Sequence, residues 1–473
     1  MADQLATDQR EPGSQQSEHG PSMALAGFVA DLELSRVPDD VVAYARVLTL
    51  DLLGAALAGV ETDEARSMIS AAQGFAPTDG PCAIWGTPHT TTAAAAALVN
   101  GVIAHAQELD DFGGADHSGA VVIPAVLAIA EAEGVTDGTR VLEAVIAGYD
   151  VALRVLEGAG GYRAHNGLGW HSTGTCGSFG AAAAAARMLG LDAEKTAWAL
   201  GIAGSFTGGV WAFLADGSMS KRYHTGRAAE IGLTAAYMAR AGFTGPAHVL
   251  DAAYGGYLTT YCDKRARPEA ITEGLGREYR IMKSGIKPYA ACRGLHAALD
   301  VVLRLKAEHG LTADDIDRVD LRCSAANKLS IGDPDPTTRL AAQMSLPYGV
   351  AVGLVTGRAS LAEFEDRWIN DAEVRALMGR VTMTVDPEQD EYSEPVIEIV
   401  TTDGTRLEGH EPVGLGDPLN PLTTEQVAAK YRELAVRALT AEAVQGLEAA
   451  VFALPASGSL PALLAALRHV DTR

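Results

Sequence analysis

Residues Gly169–Leu191 read GWHSTGTCGSFGAAAAAARMLGL, a Trp-His pair followed by a run of Gly, Ser, Thr and Ala. Alanine is the strongest helix former, so the second half of the stretch predicts a helix. With no side chain larger than a methyl over most of its length, that helix can be approached closely by other backbone. The stretch therefore predicts a central, tightly packed helix in a helical bundle. His171 stands at the mouth of the helix start. A single histidine there is most simply a cap or a core group, and its neighbours in other segments decide whether it is more.

Outward from this stretch, helical signals dominate the first 265 residues. PDDVVAYARVLTLDLLGAALAGV carries acids in its first turn and apolar residues at intervals of three and four, with Gly59 near its end. TTAAAAALVNGVIAHAQELDD, SGAVVIPAVLAIAEAEG, DGTRVLEAVIAGYDVALRVLEG, DAEKTAWALGIAGS and GRAAEIGLTAAYMARAG repeat the pattern. Residues 1–22 are polar and aperiodic and are expected to form a disordered tail, with order starting at Met23. Near residue 270 the texture changes. REYRIMKSGIKPY, DIDRVDLRCSA, GRVTMTVD and PVIEIVTTDGTRLEGH alternate as strands do, and Asp403-Gly404 signals a hairpin. The expected fold is mainly α: a helical domain over 23–268, an α+β lid domain over 269–408, and a helical segment over 409–473 that returns to the first domain.

The chain has 473 residues, 48% of them apolar and only 6% aromatic, which allows a large core built from small side chains. A formal charge of -23 argues against a nucleic-acid or anionic-membrane surface, although converging cations can still hold a small anion. Five cysteines (Cys82, Cys176, Cys262, Cys292 and Cys323) show no CxxC spacing, which fits a reducing compartment and argues against a Cys-based zinc site. No secretory signal opens the sequence, and its apolar stretches read as too interrupted for a membrane span. A cytoplasmic protein is expected.

Four segments concentrate functional groups. HAQELDDFGGADHSGAVVIP holds His105, Glu108, Asp110, Asp111, Phe112 and His117 in a loop between helices. The second is the stretch around His171. GSMSKRYHTGRAAEIG places Lys221, Arg222, His224 and Arg227 before a helix, where an anion is favoured. SGIKPYAACRGLH supplies Lys287, Tyr289, Cys292, Arg293 and His296. Cys292 reads more simply as a small buried thiol than as a nucleophile, and Tyr348 in SLPYG as a half-buried helix aromatic. No Walker, GxGxxG, GxSxG or HExxH pattern is present, so no metal or organic cofactor is expected. Acid/base chemistry on a small carboxylate remains, with imidazoles exchanging protons and lysines holding anions.

The order of three motifs, GWHSTGTCGSFGAAAAAARMLGL, SMSKRYHTGRAAEIGLTAAYMARAGFTGP and KPYAACRGLHAALD, resembles the MmgE/PrpD family. That family includes 2-methylcitrate dehydratase, cis-aconitate decarboxylase and iminodisuccinate epimerase. The resemblance runs from about Met23 to the C-terminus and implies a helical domain, an α+β lid, a cleft between them and a homodimer. It implies catalytic roles for His117, His171, Lys221, Lys287 and Tyr348, the last as the tyrosine of an S-x-x-Y helix. It implies substrate contacts for Glu108, Phe112, His224, Cys292 and Arg293. Two departures stand out: the family's DFDDT reads ELDDF here, and Ser118 follows His117 where a proline is usual. They point to a different, less polar substrate. A dehydratase or decarboxylase is expected. The alternatives are an epimerase, a cyclising enzyme of secondary metabolism, or a non-catalytic homodimer that binds a ligand.

Overall fold

The computed structural model describes residues 20–215, 217–390 and 393–468. The tail expected over 1–22 lies outside them except at its end, where the first helix, Pro21–Asp31, already begins two residues before Met23. Proline fits the first helical turn, whose N–H would have no partner anyway, and this sets the earlier start.

The quoted stretch forms two short-spaced helices, Ser172–Thr175 and Gly177–Leu189. Ala181 to Ala186 are all fully buried. Around them pack Gly138–Gly158, Gly119–Ala132 and Ser220–Arg240, and the last of these also crosses Ala93–His105. The crossings are made at glycine. A Cβ on Gly226 would overlap the Leu98 carbonyl oxygen, and one on Gly101 would lie 2.7 Å from the Gly226 Cα. Backbones this close gain dispersion contacts that bulky residues would forbid. That explains a core with so few aromatics.

Asp39–Gly59 is, by length and composition alone, apolar enough to cross a membrane, unlike the sequence expectation that the apolar stretches are too interrupted. In the fold it is a core helix, with 83% of its most apolar window buried. Thr424–Ala435 packs along it, Gly54 giving room to Tyr431, and the C-terminal helices share the same hydrophobic core.

A second core is drawn mainly from residues 290 to 407, with Ala58, Leu109 and Leu434 joining it from the helical part. Its four-stranded sheet has the order Val381–Val385, Ile316–Cys323, Val396–Thr401, Arg406–His410. The first pair is parallel and the others antiparallel, with the expected hairpin at Asp403-Gly404. Arg277–Tyr289, expected as a strand, is instead irregular with a 3-10 turn at Arg280–Lys283. The Arg154 guanidinium donates to the Glu278 carbonyl within it and to the Ile271 and Glu273 carbonyls just before it. The Arg280 N–H donates to Asp150 at 2.5 Å. Two buried side chains of the helix Gly138–Gly158 thus hold the start of this segment, and Gly285 farther on bridges to Phe112.

Candidate active site

The loop after Ala93–His105 carries the acids, and three other segments converge on it. His171 precedes its helix with a backbone N–H donated to Gly209 O at 3.0 Å. Gly174 permits this, since a Cβ there would overlap the Gly208 carbonyl oxygen. The absence of side chains after His171 therefore lets the 208–209 backbone pass over the helix start. The imidazole is fully buried as a result, between Asp116 and His224 and against the rings of Trp211 and Phe213.

Glu108 is the centre of the cluster. Its Oε1 accepts from Lys221 Nζ at 2.5 Å and lies 3.3 Å from Lys287 Nζ, while Oε2 accepts from Arg222. Lys287 also donates to the Glu108 carbonyl at 3.1 Å. Burial alone would raise the Glu108 pKa, but the three cations outweigh it and hold the carboxylate well below its usual range. Burial likewise opposes ionisation of Asp110 and Asp116. His105 and His117 overcome it at Asp110, and His117 and His171 do so at Asp116.

Hydrogen bonds assign the imidazoles. His105 Nδ1 lies 2.8 Å from Asp110 Oδ1, and its Nε2 lies 3.1 Å from Arg222 Nη1. Arginine only donates, so Nε2 accepts and Nδ1 carries the proton. Burial first of all keeps this ring neutral, its pKa falling well below the ordinary value. His105 is thereby committed on both sides. His117 Nδ1 lies 3.0 Å from both Asp111 O and Asp110 Oδ2, two acceptors. Nδ1 therefore carries a proton, and Nε2 faces the cluster, 3.6 Å from Asp116 Oδ1 and 3.8 Å from Glu108 Oε1. His171 donates from Nε2 to Asp116 Oδ2 at 3.1 Å, which leaves its Nδ1 to accept from His224 Nδ1 at 2.9 Å. Burial lowers both pKa values, that of His224 to about 4.

The structure thus brings Glu108, His117, His171, Lys221, His224 and Lys287 together. It does not bring in Tyr348, which is buried in the second core and donates its hydroxyl to Glu363 O at 2.6 Å. Phe112 turns away from the cluster: its backbone pairs with Gly285 and its ring packs on that glycine and edge-on to His296. Arg293 lies over the Phe112 ring and bonds Glu394 and Asp417, so its charge is already met. Burial raises the Cys292 thiol pKa, against activation as a thiolate.

Sequence reading missed Asp116 and Thr173, whose hydroxyl lies 3.3 Å from Asp116 Oδ2. It also left Arg222 and His105 out of the site proper. Asp116 had a local signal, in that Asp tolerates the left-handed backbone, and its φ is 79°.

Among the described residues, two groups could in principle gather round a cation: His105 with Glu108 and His117, and Asp116 with His117 and His171. In the first, the His105 lone pair is bound to Arg222 and Glu108 already faces three cations, so the donors are spent. Activity is expected to survive exhaustive chelation, measured as turnover before and after EDTA treatment. Loss on chelation with rescue by one divalent ion would mark the Asp116 group as a metal site.

A cleft of about 600 Å³ adjoins the cluster, with Lys221 and Phe213 on one side and Lys328–Met344 on the other. The Phe213 ring lies 5.7 Å from that of His171. The site can thus receive a small molecule between the helical part and the α+β part.

Comparison with known proteins agrees with this layout. Residues 23–269 match the MmgE/PrpD N-terminal domain and residues 289–454 the MmgE/PrpD C-terminal domain. The chain is 31% identical to the cis-aconitate decarboxylase-like protein oryM of Aspergillus oryzae (strain ATCC 42149 / RIB 40) over 467 residues, covering 93% of this chain and 96% of that protein. It is 28% identical to cis-aconitate decarboxylase of Aspergillus terreus, covering 89% and 90% of the two chains. With human cis-aconitate decarboxylase it shares 29% identity, over 90% and 89%. Both halves of the fold are matched in order, and the chain belongs to the MmgE/PrpD family.

Proposed function

We propose that this enzyme is a cofactor-free lyase of the dehydratase/decarboxylase type, moving a proton next to a carboxylate of a small substrate as water or carbon dioxide leaves. The observation that carries the reading is the buried His117 Nε2, which faces the Glu108 and Asp116 carboxylates at 3.8 and 3.6 Å while Nδ1 is taken up by the loop, and so can accept a proton inside the cluster. His117 takes the proton. Asp110, Asp116 and Glu108, each held below its usual range, face its ring. His171 passes its Nε2–H to the developing carbanion or to the leaving hydroxyl while its Nδ1 takes up the proton from His224 Nδ1, which a proton entering at His224 Nε2 replaces. Lys221 holds the substrate carboxylate with the N–H groups that Glu108 does not use, and stabilises the enolate-like charge. Lys287 keeps Glu108 in place.

The active form is proposed to be a homodimer in the cytoplasm. Exposed Phe206 and Tyr223, which share a pocket wall, are apolar surface for a second copy to cover. Incubation with unsaturated and with hydroxylated di- and tricarboxylates, followed by mass spectrometry, tests decarboxylation on the former and dehydration on the latter. Loss of 44 or 18 mass units from at least one of them is expected. A panel of such acids left unchanged by folded enzyme would refute the lyase reading.

A further inference from the structure

We infer that the substrate carries a long apolar arm and fewer carboxylates than a tricarboxylic acid, and that Glu108 sets this limit. The inference rests on the lyase reading and specifies the molecule the site accepts.

The first observation is the use of charge. Lys221, Lys287 and Arg222 are the lysine and arginine groups bonded within the cluster, and Glu108 engages all three. Its two oxygens stand where a substrate carboxylate would otherwise bridge the lysines. Asp110 and Asp116 add two more negative charges, so three carboxylates face three cations and no positive excess is left for a trianion. Arg293 cannot make up the difference, being paired with Glu394 and Asp417. A single carboxylate can still bind to the remaining Lys221 N–H groups.

The second observation is the backbone at Glu108. Its φ is 56°, in the left-handed region that few residues other than Gly, Asn and Asp adopt. Strain of this kind persists where the surroundings hold it, and it collects at functional sites. Here the strained backbone and the longer side chain together carry the carboxylate to the lysines.

The third observation is the cleft. Its volume of about 600 Å³ falls in the range of pockets that take drug-sized ligands. Besides Lys221 it is walled by Phe213, Leu214, Leu340 and Met344, with Lys328 and Asp333 adding one charge of each sign. A tricarboxylate would leave this apolar wall unused and place a charged group against it. An alkyl arm extending from the carboxylate on Lys221 would cover it.

Calorimetric titration with two unreactive probes separates the possibilities: hexylsuccinate, a dicarboxylate with a six-carbon arm, and propane-1,2,3-tricarboxylate. Hexylsuccinate is expected to bind at least about tenfold tighter, since each buried methylene contributes roughly fourfold. Leu340→Ser combined with Met344→Ser should erase that preference, and Glu108→Gln should strengthen tricarboxylate binding by about tenfold. Equal or tighter binding of the tricarboxylate to the unaltered enzyme would overturn the inference, as would binding of neither probe. The probes are not turned over, so the result is independent of the reaction. Tight hexylsuccinate binding by an enzyme that converts no unsaturated or hydroxylated acid would count against the lyase reading and not against the shape of its pocket.

Discussion

His117→Asn is expected to lower kcat by about a thousandfold, within the usual range for loss of a general base, while leaving the melting temperature unchanged. A thousandfold corresponds to about 4 kcal/mol of barrier. Asparagine is the informative replacement because its amide can donate where His117 Nδ1 does, 3.0 Å from the Asp111 carbonyl. The loop therefore keeps its internal hydrogen bond and loses only Nε2. KM should move little, since His117 is not a holder of the carboxylate. His117→Ala should show the same kinetic loss together with a lower melting temperature. The measurement is steady-state kinetics beside thermal melts on all three proteins. Retention of kcat within tenfold by His117→Asn would mean that the imidazole serves the loop and not the proton, and would move the role of base elsewhere.

The division of labour in this cluster was partly legible in the sequence, for a physical reason. His171, Lys221 and Lys287 lie in motifs where small or charged residues interrupt helix patterning, and such interruptions are visible one-dimensionally. Which nitrogen of His117 is free depends on Asp111 O and Asp110, and the commitment of His105 depends on Arg222, 117 positions away. No periodicity encodes such pairings. Lys430 is the extreme case: it donates to Asp51 at 2.6 Å and to the Leu109 carbonyl at 2.8 Å, supporting the acidic loop from the far end of the chain. Tyr348 shows the converse. Its motif places it correctly on a helix after Ser345, but the side chain points into the second core, because the burial pattern of Leu346–Thr356 is apolar on all sides and gives no hint of which side faces the cleft. The hairpin at Asp403-Gly404 was readable because its turn chemistry is local. The irregular path of Arg277–Tyr289 was not, because it is fixed by Arg154 in another helix.

The reading of Gly169–Leu191 as a closely approached helix makes a prediction in which the usual effect of alanine changes sign. Replacing a glycine inside a helix by alanine ordinarily stabilises by roughly 0.5–1 kcal/mol, because the unfolded chain loses freedom. Gly446, in the exposed middle of Ala441–Phe452, has nothing within 4 Å of the position its Cβ would take. Gly446→Ala should therefore raise the melting temperature. Gly180 sits in an equally regular helix, but its Cβ would lie 2.6 Å from the Gly148 carbonyl oxygen and 2.7 Å from the Ala152 Cβ. Both obstacles belong to the backbone or first atoms of a fully buried neighbour, which cannot rotate aside. Overpacking of this kind costs about 1–3 kcal/mol, more than the propensity gain, so Gly180→Ala should melt lower than the parent and Gly180→Leu lower again, with much of it insoluble. Thermal melts of the three variants decide the matter. If Gly180→Ala gains stability as Gly446→Ala does, the helices at this crossing are free to separate, and close backbone packing is not what holds His171 in the site.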